Sequence, residues 1–247
     1  MKLHSQHGAR TRYRFVGRLR LARPNAASRP KVSPHSPCLR RARSTQYFAA
    51  LLLALAVSAL AACSDAPPPL PRLGADDVVL AFGDSITYGT GARSEESYPE
   101  VLAQLIGRRV VRAGVPGEVT ADGLQRLPDV LAEVKPKILL LCLGGNDMLR
   151  KVEPAAIESN LRTMVRMARD RGIAVVLIAV PKPALFGGNG AYYQTIAKEN
   201  DLPLEGDILK DILFDNEFKA DPLHPNAKGY RRMAEAIAAL LKSAGAV

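Results

Sequence analysis

From residue 76 onward, short continuous apolar runs alternate with longer segments in which apolar residues recur every three or four positions. Residues 78–82, 138–143 and 173–180 are runs of the first kind, and residues 109–112 form a shorter candidate. A strand covered by helices on both faces has no polar side, so it reads as unbroken apolar sequence rather than as an alternation. Helical spacing marks residues 98–106 and the series Leu124, Leu127, Val130, Leu131 and Val134. It marks again Ile157, Leu161, Met164, Val165 and Ala168, then residues 192–199, then 227 to about 242 with Tyr230, Met233, Ile237, Leu240 and Leu241 on one face. Ser97 is placed to cap the first of these helices, with Pro99 at an early helical position. Pro128 is expected to kink the second, and Gly172 to stop the one before the 173–180 strand. Strands alternating with helices predict an α/β fold with parallel pairing and right-handed crossovers.

Ahead of this domain the pattern changes. Twelve of the 34 basic residues precede Ser64 and none of the 24 acidic ones does, which leaves 22 basic against 24 acidic residues from Ser64 on. The formal charge of +10 therefore belongs to the N-terminal segment, and a nucleic-acid reading from net charge fails for the domain. Residues 1–47 are rich in Arg, Ser and Pro without periodicity. Residues 48–62 are nearly all Ala, Leu and Val, too short a run for the ~20 residues of a membrane-spanning helix. Basic, then apolar, then small residues is the order of a secretory signal. Its end, Leu60-Ala61-Ala62-Cys63, resembles a bacterial lipobox, in which the cysteine is lipid-modified and becomes the first mature residue. Ordinary cleavage near Ala62 and an uncleaved anchor are the other readings. Residues 63–75, with Pro67-Pro68-Pro69 and Pro71, are expected to be a stiff tether holding a domain of residues 76–247 off a membrane surface.

Three cysteines do not make a disulfide framework, and Cys142 inside an apolar run reads as a small buried hydrophobe. Histidine is more telling. Past Ser64 there is one, His224, in Asp221-Pro222-Leu223-His224-Pro225. A serine hydroxyl is a weak nucleophile until a base takes its proton, and that base needs a partner to fix its tautomer. Asp221 and His224 can meet that need within one turn of chain. A candidate nucleophile, Ser85, stands in Gly83-Asp84-Ser85 directly after the 78–82 run, though a plain turn capped by Asp84 or Ser85 would leave the same trace. This is not the nucleophile elbow of the α/β-hydrolases, which needs a second glycine after the serine. Acyl transfer also needs oxyanion donors, for which the N–H groups of Ser85 and Gly117 and the Asn146 carboxamide are candidates. Asp147 is expected to support its loop rather than react. Ligands of parallel sheets bind beyond the C-terminal ends of the strands, and each of these segments follows a strand candidate or precedes the last helix.

Four segments, in this order and spacing, resemble the blocks of the SGNH (GDSL) hydrolases: Ala81-Phe82-Gly83-Asp84-Ser85, Ala113-Gly114-Val115-Pro116-Gly117, Gly144-Gly145-Asn146-Asp147 and Asp221-Pro222-Leu223-His224-Pro225. The nearest likeness is to the bacterial thioesterase I / lysophospholipase L1 / arylesterase branch, helped by Gly123-Leu124-Gln125-Arg126-Leu127-Pro128. The resemblance implies a flavodoxin-like three-layer α/β/α sandwich around a parallel sheet of about five strands. It implies Ser85 as nucleophile, His224 as base, Asp221 as its partner, and Ser85 N–H, Gly117 N–H and Asn146 as oxyanion donors. It implies neither metal nor cofactor, and an acyl ester or thioester substrate. Arg112 is a departure, standing where that branch usually has Asn in a supporting role.

The segment 181–193 joins apolar side chains to a glycine patch, so Leu185, Phe186 and Tyr192 are candidates for a substrate groove, with an ordinary surface loop as the other reading. The leading expectation is a serine ester hydrolase, exported to the bacterial envelope and lipid-anchored at Cys63. An envelope polysaccharide deacetylase of the same fold and a non-catalytic ligand-binding lipoprotein are the alternatives.

Overall fold

A computed structural model of the protein describes residues 66–182 and 190–247. Five strands form one sheet: β1 (Val78–Gly83), β2 (Arg109–Gly114), β3 (Ile138–Cys142), β4 (Ala174–Ile178) and β5 (Leu204–Glu205). Every pairing is parallel, in the order β2-β1-β3-β4-β5. The central strands carry unbroken apolar sequence because both faces are covered: Val79 to Phe82 and Ile138 to Cys142 have no exposed surface. Edge strand β2 is only half-buried, which is why Arg109 and Arg112 are tolerated there.

Helices α1 (Ser85–Tyr88), α2 (Tyr98–Ile106), α3 (Thr120–Val134), α4 (Gly145–Leu149), α5 (Pro154–Arg169), α6 (Ala191–Asn200), α7 (Ile208–Phe214) and α8 (Ala227–Ser243) complete the chain. Helix α2 packs against α8, while α3 packs against α5 and α5 against α6, giving the two outer layers of a sandwich. The chain leaves β1 toward β2 on one side and returns to β3 on the other. The crevice opened by that reversal, at the C-terminal ends of β1 and β3, is where such a sheet binds ligands.

Three local expectations are revised. Pro128 does not interrupt α3, whose helical assignment runs through it. Ser97 occupies the N-cap position of α2, but its hydroxyl donates to the Ser94 carbonyl at 2.7 Å instead of accepting from the helix. The packed unit also extends upstream of residue 76: Leu70 N–H and Leu73 N–H donate to the Ala244 and Ala246 carbonyls, both at 2.8 Å, and Leu73 is buried. That part of the proline-rich stretch is a strap on the domain, not a free spacer, because leucine burial and two backbone bonds outweigh its intrinsic extension.

Candidate active site

The β1–α1 junction is tight. A Cβ on Gly83 would stand 2.3 Å from both the Cys142 carbonyl and Thr87 Oγ1, and one on Gly114 only 2.2 Å from Tyr88 N. These glycines let β1, β2 and β3 close directly beneath α1. Asp84 is the N-cap, accepting from Ile86 N–H at 3.0 Å, so Ser85 begins the helix with its side chain facing the crevice. Arg112 knits the far end of α1 to the following turn. Its guanidinium donates to the Tyr88 and Ser94 carbonyls and to the hydroxyls of Ser94 and Ser97, and lies 5.5 Å over the Tyr88 ring.

His224 comes from a loop closed on itself before α8. Asn226 caps α8 by accepting from Gly229 N–H, and its Nδ2 donates to the Glu217 and Lys219 carbonyls. Asp221 Oδ1 accepts from the backbone N–H groups of Leu223 and His224, at 2.7 and 2.9 Å. The loop is backed by Gly91, where a Cβ would meet the Pro225 carbonyl at 2.5 Å and His224 Cβ at 3.3 Å, and whose φ is +99°. Tyr230 on α8 holds that backing in place, donating to the Thr90 carbonyl at 2.7 Å.

The two loops meet. His224 Nδ1 is 2.8 Å from Asp221 Oδ2, and Nε2 is 3.0 Å from Ser85 Oγ. A carboxylate can only accept, so it places the imidazole proton on Nδ1 and leaves the Nε2 lone pair toward the serine hydroxyl. Burial presses the Asp221 carboxyl upward, but the bonds from His224 and Leu223 prevail and hold it below its ordinary range.

Gly117 and Asn146 face the same crevice, the first from the β2–α3 loop and the second from the first turn of α4. Neither Ser85 N–H nor Gly117 N–H is donated to a described residue. Gly117 has φ +80°, and Arg150 donates to its carbonyl at 2.9 Å. Asn146 Nδ2 points to the Glu118 carbonyl at 3.0 Å and to Asp84 Oδ2 at 3.3 Å. Glu118 itself is buried and paired through both oxygens with Arg126, at 2.7 Å each, and that guanidinium stacks 4.1 Å over Phe82. Asp147 is buried, and its side chain is turned to α3. It accepts from the N–H and hydroxyl of Thr120, at 2.8 and 2.6 Å, and so fixes the start of α3. Burial drives the Cys142 thiol well above its ordinary range, leaving it a hydrophobe of the core.

The crevice is a cleft of about 270 Å³ lined on its apolar side by Leu149, Val180, Leu213, Phe214 and Leu223. Tyr192 is not among its lining residues; it is buried beside a neighbouring cavity with Met148, Val152 and Ile157, because its place in the first turn of α6 turns it toward α5. Burial raises its hydroxyl to about 12. Leu185, Phe186 and Cys63 lie outside the described residues. Among the described residues no group of three or more His, Cys, Asp or Glu is placed to hold a metal ion. Sequence reading passed over Leu213, Phe214, Gly91 and the Asp84–Asn146 contact. Only the short apolar run Ile212-Leu213-Phe214 carried any signal of the first two.

The chain belongs to the GDSL-like lipase/acylhydrolase family, whose model matches residues 81–232, and with that family it is a carboxylic ester hydrolase. Among its relatives is the esterase TesA of Pseudomonas aeruginosa, 30% identical over 184 residues that span 70% of this chain and 92% of that one. Another is thioesterase 1/protease 1/lysophospholipase L1 of Escherichia coli K12, 30% identical over 163 residues, 63% of this chain and 78% of that one. The crystal structure of TesA superposes with a TM-score of 0.64 at 30% identity, covering 68% of this chain and 99% of that one.

Proposed function

We propose that the protein hydrolyses acyl esters, and thioesters of similar shape, through an acyl-enzyme on Ser85. The Asp221–His224–Ser85 relay carries this reading: a charged acceptor at 2.8 Å on one ring nitrogen and a hydroxyl at 3.0 Å on the other. His224 Nε2 takes the Ser85 proton as Oγ attacks the carbonyl carbon, then gives it to the departing alkoxide or thiolate. A water activated the same way releases the acid. The carbonyl oxygen, charged in both tetrahedral intermediates, is received by Ser85 N–H, Gly117 N–H and Asn146 Nδ2. The acyl portion lies against Leu149, Val180 and Phe214.

The test is a panel of p-nitrophenyl esters of increasing chain length, lysophosphatidylcholine, acyl-CoA and acetylated sugars, turned over by purified residues 64–247. Ser85→Ala is expected to lower kcat by at least ~1,000-fold with folding intact. Turnover at the wild-type rate would end the nucleophile assignment. Residues 1–62 serve, in this reading, as an export signal, and Cys63 as a lipidated anchor in the cell envelope. Loss of palmitate incorporation in Cys63→Ser is the expected outcome, and undiminished labelling would reject the anchor.

A further inference from the structure

A carboxamide has nearly the same shape either way round, so packing alone does not decide which end of Asn146 is NH2 and which is oxygen. The hydrogen-bonding chemistry of its neighbours decides. Two groups converge on one end of it, the Glu118 carbonyl and Asp84 Oδ2, and both present acceptor oxygens. Oxygen facing the Glu118 carbonyl would be repelled at any pH, and oxygen facing Asp84 Oδ2 is repelled once that carboxyl is ionised, so together they turn the nitrogen inward.

Asp84 is placed to do this and little else. It is 2% exposed and lines the cleft floor. Its other oxygen is committed to Ile86 N–H, capping α1. Its backbone is held by Tyr88 N–H, which donates to its carbonyl at 2.9 Å, and by Gly114, which has no side chain to displace that carbonyl. One buried side chain therefore joins the helix of the nucleophile to the only side-chain donor proposed for the oxyanion.

We propose that Asp84 is a positioning residue that orients the Asn146 carboxamide, holding its N–H toward the oxyanion while capping the helix that carries Ser85. The proposal rests on the roles given above to Ser85 and Asn146. The 3.3 Å bond to Asp84 is the looser of the two on Nδ2, so it is the one an arriving oxyanion shares, while the 3.0 Å bond to Glu118 keeps the amide anchored.

Two variants separate orientation from capping. Asp84→Asn keeps a carbonyl oxygen for Ile86 N–H but turns its own NH2 onto that of Asn146. Asp84→Ser keeps a capping oxygen and offers Asn146 nothing. Each is expected to lower kcat on a p-nitrophenyl ester by ~10–100-fold with KM within about threefold, short of the ~100- to 1,000-fold loss for Asn146→Ala. The deciding measurement is a double-mutant cycle. In an Asn146→Ala background either Asp84 change is expected to cost under about twofold more, because its target is gone. An equal loss in both backgrounds, or no loss in either single variant, overturns the proposal. Thermal melts establish that each variant is folded, and if Asp84→Asn is not, the Asp84→Ser cycle decides alone. Wild-type turnover by Ser85→Ala would fail differently, by removing the active-site reading itself.

Discussion

At the scale of single residues, two carboxyls of the site are driven in opposite directions by their surroundings. Asp221 is partly exposed and bonded to His224 and two backbone N–H groups, so it stays ionised and fixes the imidazole tautomer. Asp84 is enclosed, and burial outweighs the Ile86 N–H and the attraction of His224, raising it from 3.8 to about 7; the charge of Glu118 adds to the rise. Cys142, Tyr98 and Tyr230 share this interior, each with its own titration shifted upward by burial. Between about pH 4 and 7 folded Asp84 keeps a proton that the unfolded chain has released. Folding in that window takes up a proton, so stability falls as pH rises. Relative to Asp84→Asn, the wild-type unfolding free energy from urea titrations is expected to decline by up to ~4 kcal/mol between pH 4 and 8 and then level. A difference that does not change with pH would show that the carboxyl titrates normally in the fold.

At the scale of elements, the geometry of the crevice depends on pieces too short to show a period. Helices α1, α4 and α7 have four, five and seven residues, fewer than the two or three turns that make an amphipathic pattern legible. By its sequence alone the Gly144-Gly145-Asn146-Asp147 segment is indistinguishable from a plain turn; its helical start becomes decisive because α4 aims Asn146 at Asp84 and Glu118. Gly91 shows how a neighbouring loop places His224. Gly91→Ala adds a methyl where the Pro225 carbonyl already lies, at a φ that side chains rarely adopt. It is expected to displace His224 and lower kcat by ~10-fold or more while the melting temperature falls only a few degrees. Unchanged kcat would mean that the 217–226 loop holds His224 without this support.

At the scale of the whole molecule, the reversal of strand order between β2 and β3 brings Ser85, Gly117 and Asn146 to one crevice, and the loop that leads into α8, which packs against α2, brings His224 to it. The N-terminal strap closes the far end of the domain, at the C-terminus of α8. Beginning the chain at residue 76 rather than 64 removes the buried Leu73 and its backbone bonds. Urea titration is expected to show a loss of ~2–4 kcal/mol, with most of it reproduced by Leu73→Ala in the longer chain. Equal stability of the two lengths would show that the strap contributes no net binding.

The sequence by itself determined the parallel α/β class, because an unbroken apolar strand leaves no face for water, and it singled out Ser85, Asp221 and His224 as candidates, because only one imidazole follows the basic N-terminal segment and it carries its carboxylate three residues away. Those are local facts, written within a few residues of chain. Which end of Asn146 faces the site, that Phe214 rather than Tyr192 lines the cleft, and that Leu73 belongs to the core were decided by the tertiary structure. Each depends on contacts between residues tens of positions apart, whose partners a linear pattern does not name.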